Sequence, residues 1–369
     1  MAGEVQITCP RHGDVLNRHD GEERADTLVV RVEGTAPAGA VVTVNGTVAH
    51  VQKSSFSCDV PLRERANSIT AACPAQRKEL SDTITVLWDK GSRPRYRLSL
   101  DDNIHFLQDL SARPEEYGSI FDHWYLGFLR QMHQDYAAKI HVNIYFQTVG
   151  GESTLREVPD RWRSEWEENA HWLRLSFHAL QDLPANPYRS SGYEEMAQDM
   201  DLVHAEITRF AGARTLSATT TVHWAEGTRE VCQAARDRGV RVLVGLFDWG
   251  QSGERRGAYY LDEAMHDHLS QRDAWYEPTM DMLFVTCDRM FDFVPTEQIE
   301  SHLQSQAANS HTGELIEMLG HEPYFRPDSP LYRPDHQHKV RRILTWLTDH
   351  GYEPVFWEDG LLGSLTGFA

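Results

Sequence analysis

The chain has 369 residues, 40% of them hydrophobic and 10% aromatic, with a formal net charge of −19 at neutral pH. That length allows two domains with a sizeable core, and the acidic balance argues against nucleic-acid binding and against an anionic membrane surface. The sequence contains no run of eighteen apolar residues, so it predicts no membrane span.

The start, Met1-Ala2-Gly3-Glu4-Val5, has neither a basic segment nor an apolar core. The expected location is cytoplasmic, or secreted if a leader has been removed. Residues 1–92 read as all-β. Leu28, Val30 and Val32 alternate, Asn45-Gly46 is a hairpin signal, and Phe56, Cys58 and Val60 alternate again. Short strands at this spacing predict an immunoglobulin-like β-sandwich, read as a packing domain in preference to a carbohydrate-binding module. Five cysteines (Cys9, Cys58, Cys73, Cys232, Cys287) are scattered with no Cys-x-x-Cys pair. They fit reduced thiols better than a disulfide framework, with a Cys58–Cys73 bridge left open.

After the breaker-rich link Asp89–Pro94 the pattern becomes strand–helix alternation. Strands are predicted at 95–101, 140–146, 173–178, 216–223, 240–247, 282–287, 314–320 and 353–357. Helices are predicted at 193–211, 227–238, 295–307 and 335–350. Seven or eight such units without a dinucleotide-binding glycine fingerprint predict a (β/α) barrel over 93–369. Residues 249–280 read as a long loop insertion.

Strand parity gives the candidate site. Arg97, Ser99 and Asp101 share one face of the first strand, with Asp102 one residue later on the rim. His178, His223 and His321 end three later strand-like runs. Adjacent carboxylates repel each other unless a cation or a proton lies between them. An Asp pair and three His converging on the C-terminal face of one barrel therefore predict an enzyme site.

These residues resemble the NodB-like polysaccharide deacetylases, metal-dependent carbohydrate esterases with a distorted (β/α)7 barrel. The resemblance covers about 95–358 and lies in motif order. Ser99-Leu100-Asp101-Asp102-Asn103 stands where that family has Thr-Phe-Asp-Asp-Gly, which implies Asp101 as catalytic base and Asp102 as metal ligand. The family's His-x-x-x-His pair appears as His178 to Asp182, so Asp182 replaces the second His. The family's Arg-Pro-Pro-Tyr is absent, and Val222-His223-Trp224-Ala225-Glu226-Gly227 holds that position. The third ligand is thus His223, on inward parity, with Asp182 as the alternative. Leu319-Gly320-His321 matches the late Leu-His motif and implies His321 as general acid, its proton favoured by Glu322 or Glu317.

The resemblance implies a hydrolase that removes acyl groups from an amino sugar or polysaccharide, using one divalent ion, Zn²⁺ by ligand type. Trp224, Glu226 and Tyr324 are the candidate substrate contacts, with Trp124 as a further stacking surface. The expected partner is a carbohydrate, with no nucleic acid and no membrane, and the oligomeric state is left open. The competing readings are a glycoside hydrolase using Glu226 and Glu322, and a non-catalytic glycan-binding protein on a degenerate barrel.

Overall fold

Alternating apolar residues build the N-terminal unit. In the antiparallel pair Thr27–Thr35 and Ser55–Leu62, Leu28 faces Leu62, Val30 faces Val60 and Val32 faces Cys58, all buried. A second antiparallel pair, Ala66–Cys73 with Leu80–Trp88, buries Ile69, Ala71, Val86 and Trp88. Two five-stranded sheets enclose one core formed by these residues. Asn45 and Gly46 both take positive φ and join Thr43–Val44 to Thr47–Val48, as the hairpin signal predicts. None of the five cysteines is joined in a disulfide, so the Cys58–Cys73 bridge is not formed.

This computed structural model describes residues 4–74, 80–250 and 252–362. The chain separates into two units, Met1–Ser92 with Ala274–Asp281, and Arg93–Asp273 with Met282–Ala369. The first unit therefore takes a segment from far along the chain. The Trp275 indole donates to the His12 carbonyl at 2.7 Å, and Tyr276 N donates to Gly13 O at 2.8 Å. Gly13 has φ +87°, and a Cβ there would come within 2.0 Å of Tyr276 O, so only glycine fits.

The second unit is mixed α/β with parallel strands. One sheet orders Leu173–Ala179, Ile140–Tyr145, Arg95–Asn103, Leu315–His321 and Arg289–Met290, with Glu353–Pro354 also pairing to the Arg95–Asn103 strand. A second sheet contains Thr219–Thr220, Val242–Gly245 and Met282–Thr286, also parallel. The expected barrel is not closed by regular strand pairing among the described residues. The Leu173–Ala179 strand meets the next segment through a single bridge, Leu175 to Leu216. On the other side, Cys287 N bonds Gly245 O and Asp288 N bonds Glu317 O. The strand expected over 216–223 shrinks to two residues because the chain enters a 3₁₀ turn at His223–Ala225.

Helices Tyr193–Phe210, Arg229–Asp237, Ile299–Ala307 and His336–Asp349 fall within the predicted stretches. The segment read as a loop over 249–280 instead carries a hairpin, Asp248–Trp249 with Arg255–Arg256, and a helix, Glu263–Leu269. Asp262 caps that helix by accepting from Met265 N at 2.9 Å. Seven residues give too few turns for a helical period to stand out.

The polar faces of the central strands point inward and satisfy one another. Arg97 donates to Glu317 at 2.6 Å and to His141 Nδ1 at 2.9 Å, and Ser99 donates to Glu317 at 2.8 Å. His141 Nε2 bonds Ser176, which donates to Asn143, and Asn143 donates to Asp101 at 2.5 Å. Every member is buried, and this linked network forms the floor under the site.

Candidate active site

Asp101 and Asp102 share the end of the Arg95–Asn103 strand, where plain alternation would send them to opposite faces. The pairing with Ile140–Tyr145 slips between Leu100 and Asn103, and Asp102 takes φ +60°. This bulge turns both carboxylates towards one cleft. In the adjacent strand His321 lies directly in register with Asp101.

Asp102, His178 and His223 form the one group of three ligand-type side chains among the described residues whose donor atoms lie within 4.8 Å of one another. His178 Nε2 is 3.1 Å from Asp102 Oδ1, and His223 Nδ1 is 3.0 Å from His178 Nε2 and 3.6 Å from Asp102 Oδ1. The other ring nitrogens fix the tautomers. His178 Nδ1 sits 2.6 Å from the Thr221 carbonyl and His223 Nε2 sits 3.1 Å from the Asp182 carbonyl. A carbonyl only accepts, so each of those nitrogens carries a proton, which turns His178 Nε2 and His223 Nδ1 to one point beside a carboxylate. Burial lowers the His178 pKa, but Asp101 and Asp102 outweigh it and raise it.

A tetrahedral ion with metal–nitrogen bonds of about 2.0–2.1 Å spaces its donors about 3.3 Å apart. The separations of 3.0, 3.1 and 3.6 Å fit that figure. Two His and one carboxylate are a fitting set for Zn²⁺ or a similar divalent ion. The Asp182 carboxylate lies 3.5 Å from His223 Nε2 and 3.3 Å from the Tyr145 hydroxyl, and is not one of the three clustered donors.

The two acids differ in their electrostatics. Burial raises the pKa of Asp101 above the usual carboxylate range, against the opposing pull of His178, His321 and the Asn143 hydrogen bond. Burial also works to raise Asp102, but His321, His178 and His223 outweigh it and hold that carboxyl well below its ordinary value.

His321 is held by a residue the sequence reading missed. Its Nδ1 lies 2.6 Å from Asp292 Oδ2, its backbone N–H donates to Asp292 Oδ1 at 3.2 Å, and His336 Nε2 stands 3.0 Å from Asp292 Oδ1. Burial lowers the His321 pKa, but Asp292 and Asp102 overcome it and push it up to about 10. Asp292 follows the two-residue strand Arg289–Met290 in a 3₁₀ turn, too short for a period to mark it. Gly320 makes room for its neighbour, since a Cβ there would come within 2.2 Å of the Phe291 ring.

The carboxylates expected to serve His321 are engaged elsewhere. Glu317 bonds Arg97, Ser99 and Trp357. Glu322 is fully buried and accepts from the backbone N–H groups of Ile104, His105 and Phe106 at 2.7–3.0 Å. It thereby caps the start of the His105–Ala112 helix.

Asp101, Asp102, His178, Asp182, His223, Trp224, Glu226, His321 and Tyr324 all line one cleft of about 560 Å³. Trp224 is 53% exposed and sits at φ +66°, an uncommon conformation for a bulky residue, followed by Ala225 at φ +51°. Glu226 pairs with Arg189 at 3.2 Å. Tyr324 is largely buried, with Phe293 against its ring and 63% exposed on the same cleft. Trp124 does not line this cleft.

Tyr145 is the second residue the sequence reading missed. Its ring packs on His178 and His223, with centroids 5.1 and 5.3 Å away. Its hydroxyl lies 2.5 Å from Asp102 Oδ1. Burial and Asp102 raise its pKa well above the ordinary phenol range, so it stays a donor. Tyr145 alternates with His141 and Asn143 along the Ile140–Tyr145 strand, and that alternation marks its face but not its meeting with Asp102.

No family model matches the chain, and no curated protein matches it. Among solved structures it is similar to a family 4 acetyl xylan esterase from Clostridium thermocellum in complex with a cobalt ion. That likeness has 12% identity and TM-score 0.38, and covers 70% of this chain and 86% of the other. A protein of Mycobacterium smegmatis provisionally described as a polysaccharide deacetylase is similar at 9% identity and TM-score 0.41, over 76% of this chain and 90% of that one. A peptidoglycan N-acetylglucosamine deacetylase is similar at 12% identity and TM-score 0.36, over 74% and 92%. All three superpose loosely. No helix among the described residues is long and apolar enough to cross a membrane.

Proposed function

We propose that the chain is a metal-dependent hydrolase that removes acetyl groups from an amino sugar or polysaccharide. The observation that carries this reading is the donor set of Asp102, His178 and His223, flanked in one cleft by a buried carboxyl, Asp101, and a carboxylate-held imidazole, His321. A divalent ion bound there, Zn²⁺ by ligand type, would polarise the acyl carbonyl and bring the pKa of a water to about 7.

The chain's own residues supply the proton transfers. Asn143 occupies Asp101 Oδ1, which leaves Oδ2 to take the proton of the attacking water. The raised pKa of Asp101 makes it a stronger base than an exposed aspartate. His321 gives up Nδ1 to Asp292, and its Nε2 is the nitrogen that protonates the leaving amine or alcohol. Asp292 keeps His321 protonated at neutral pH, as a general acid requires. Trp224 and Phe293 offer exposed aromatic faces on which a sugar ring can stack.

Glycoside hydrolysis by Glu226 and Glu322 is disfavoured, because Glu322 is fully buried and committed to three backbone N–H groups. The deciding experiment is acetate release from acetylated glycans before and after chelation. Turnover that stops with chelator and returns with Zn²⁺ supports the proposal, and turnover indifferent to chelator refutes it.

A further inference from the structure

Tyr145 has no part in the proton transfers above, yet its hydroxyl lies against two of the three ligand side chains, Asp102 and His223. The distances from Tyr145 Oη are 2.5 Å to Asp102 Oδ1, 3.1 Å to His223 Nδ1 and 3.3 Å to Asp182 Oδ1. The side chain is 2% exposed. A hydroxyl has one proton to give, and the shortest of these contacts takes it. An O–H donating to an ionised carboxylate at 2.5–2.7 Å is a charge-assisted bond, about twice as strong as a neutral one.

We infer that Tyr145 is the positioning residue of the metal centre. Its hydroxyl holds Asp102 Oδ1 beside the two imidazoles, and its ring packs against both His178 and His223, which also pack on each other. The inference rests on the metal reading above and adds what sets the affinity of that site. Asp102 sits on a bulge at φ +60°, out of the regular pairing register, so its side-chain direction is not set by plain strand alternation. Each His already has a backbone carbonyl as its orienting partner. Asp102 has the Tyr145 hydroxyl in the same role, so all three ligands have a partner behind them.

The test is Co²⁺ titration of the chelator-stripped protein and of Tyr145→Phe, followed by the visible Co²⁺ spectrum. Phenylalanine keeps the buried ring, so the fold and the apo thermal midpoint should hold. Loss of an orienting partner typically weakens metal binding about 10–100-fold. The expected result is that loss of affinity with unchanged band positions, because the ligands themselves are the same. Equal affinity in the two proteins would overturn the inference and make Tyr145 a packing residue. A shifted spectrum in Tyr145→Phe would overturn it in another way, making the phenol itself a ligand. A wild-type protein that takes up no Co²⁺ would overturn the metal reading, and the inference with it, whereas the first two failures leave the metal reading standing.

Discussion

His178 Nε2 and His223 Nδ1 stand 3.0 Å apart, and each ring has committed its other nitrogen to a backbone carbonyl. Two acceptors at that distance repel unless a proton or a cation lies between them. The backbone of Thr221 and of Asp182 thus creates the demand for positive charge that Asp102 then shares. The carbonyl of Asp182, and not its carboxylate, accepts from His223 Nε2 at 3.1 Å.

The first prediction follows from that geometry. His178→Ala and His223→Ala should each lose bound Zn²⁺, by at least about 100-fold in affinity, with the fold unchanged. Asp182→Ala should retain Zn²⁺, because its backbone carbonyl survives the substitution. Metal analysis after dialysis reads this directly. Retention in His223→Ala with loss in Asp182→Ala would reverse the ligand assignment.

The second concerns Asp101. Asp101→Asn keeps the shape and the hydrogen bond to Asn143 but cannot accept a proton near neutrality. Acetate release should fall by about 10²–10⁴-fold while Zn²⁺ content stays near wild type. Normal turnover in this variant would remove Asp101 from the base role.

The third is a pH dependence. Turnover needs Asp101 deprotonated and His321 protonated, so the acid limb reports the raised Asp101 and the alkaline limb reports His321. In Asp292→Asn the main charge opposing the effect of burial on His321 is gone, and the alkaline limb should move to lower pH. The folded pKa of His321, about 10, lies above its unfolded value of about 6.5. Its contribution to stability is therefore complete below pH of about 6.5 and disappears as pH rises through about 10. Thermal midpoints of metal-free protein between pH 6 and 10 should drop more steeply in wild type than in Asp292→Asn. Parallel slopes would show that the Asp292–His321 pair does not carry that linkage.

The fourth separates two readings of Glu322. As a helix cap its loss is structural. Glu322→Gln should destabilise the protein by about 1–3 kcal/mol, since buried N–H groups lose a charged acceptor. Activity per folded molecule should be largely kept. Stability unchanged with activity abolished would restore Glu322 as a catalytic carboxyl.

Local pattern in the sequence carried the strands that hold Asp101 and His178 and the four helices named above, because side-chain alternation and apolar period are short-range properties, whereas His223, expected at a strand end, lies in a 3₁₀ turn. Asp292 and Tyr145 were invisible as functional residues for the opposite reason. Asp292 reaches His321 across 29 positions, and Tyr145 meets Asp102 across 43. Nothing in the local pattern of either residue encodes such a meeting. Glu322 shows the converse. Its adjacency to His321 suggested a partnership, but successive residues at a strand end point apart, and its carboxylate turns to the helix at Ile104–Phe106. The sequence determined which residue types sit at the strand ends. Only the tertiary structure decided which of them share a proton, a common point or a helix cap, since those depend on parallel register and on where a bulge rotates one side chain.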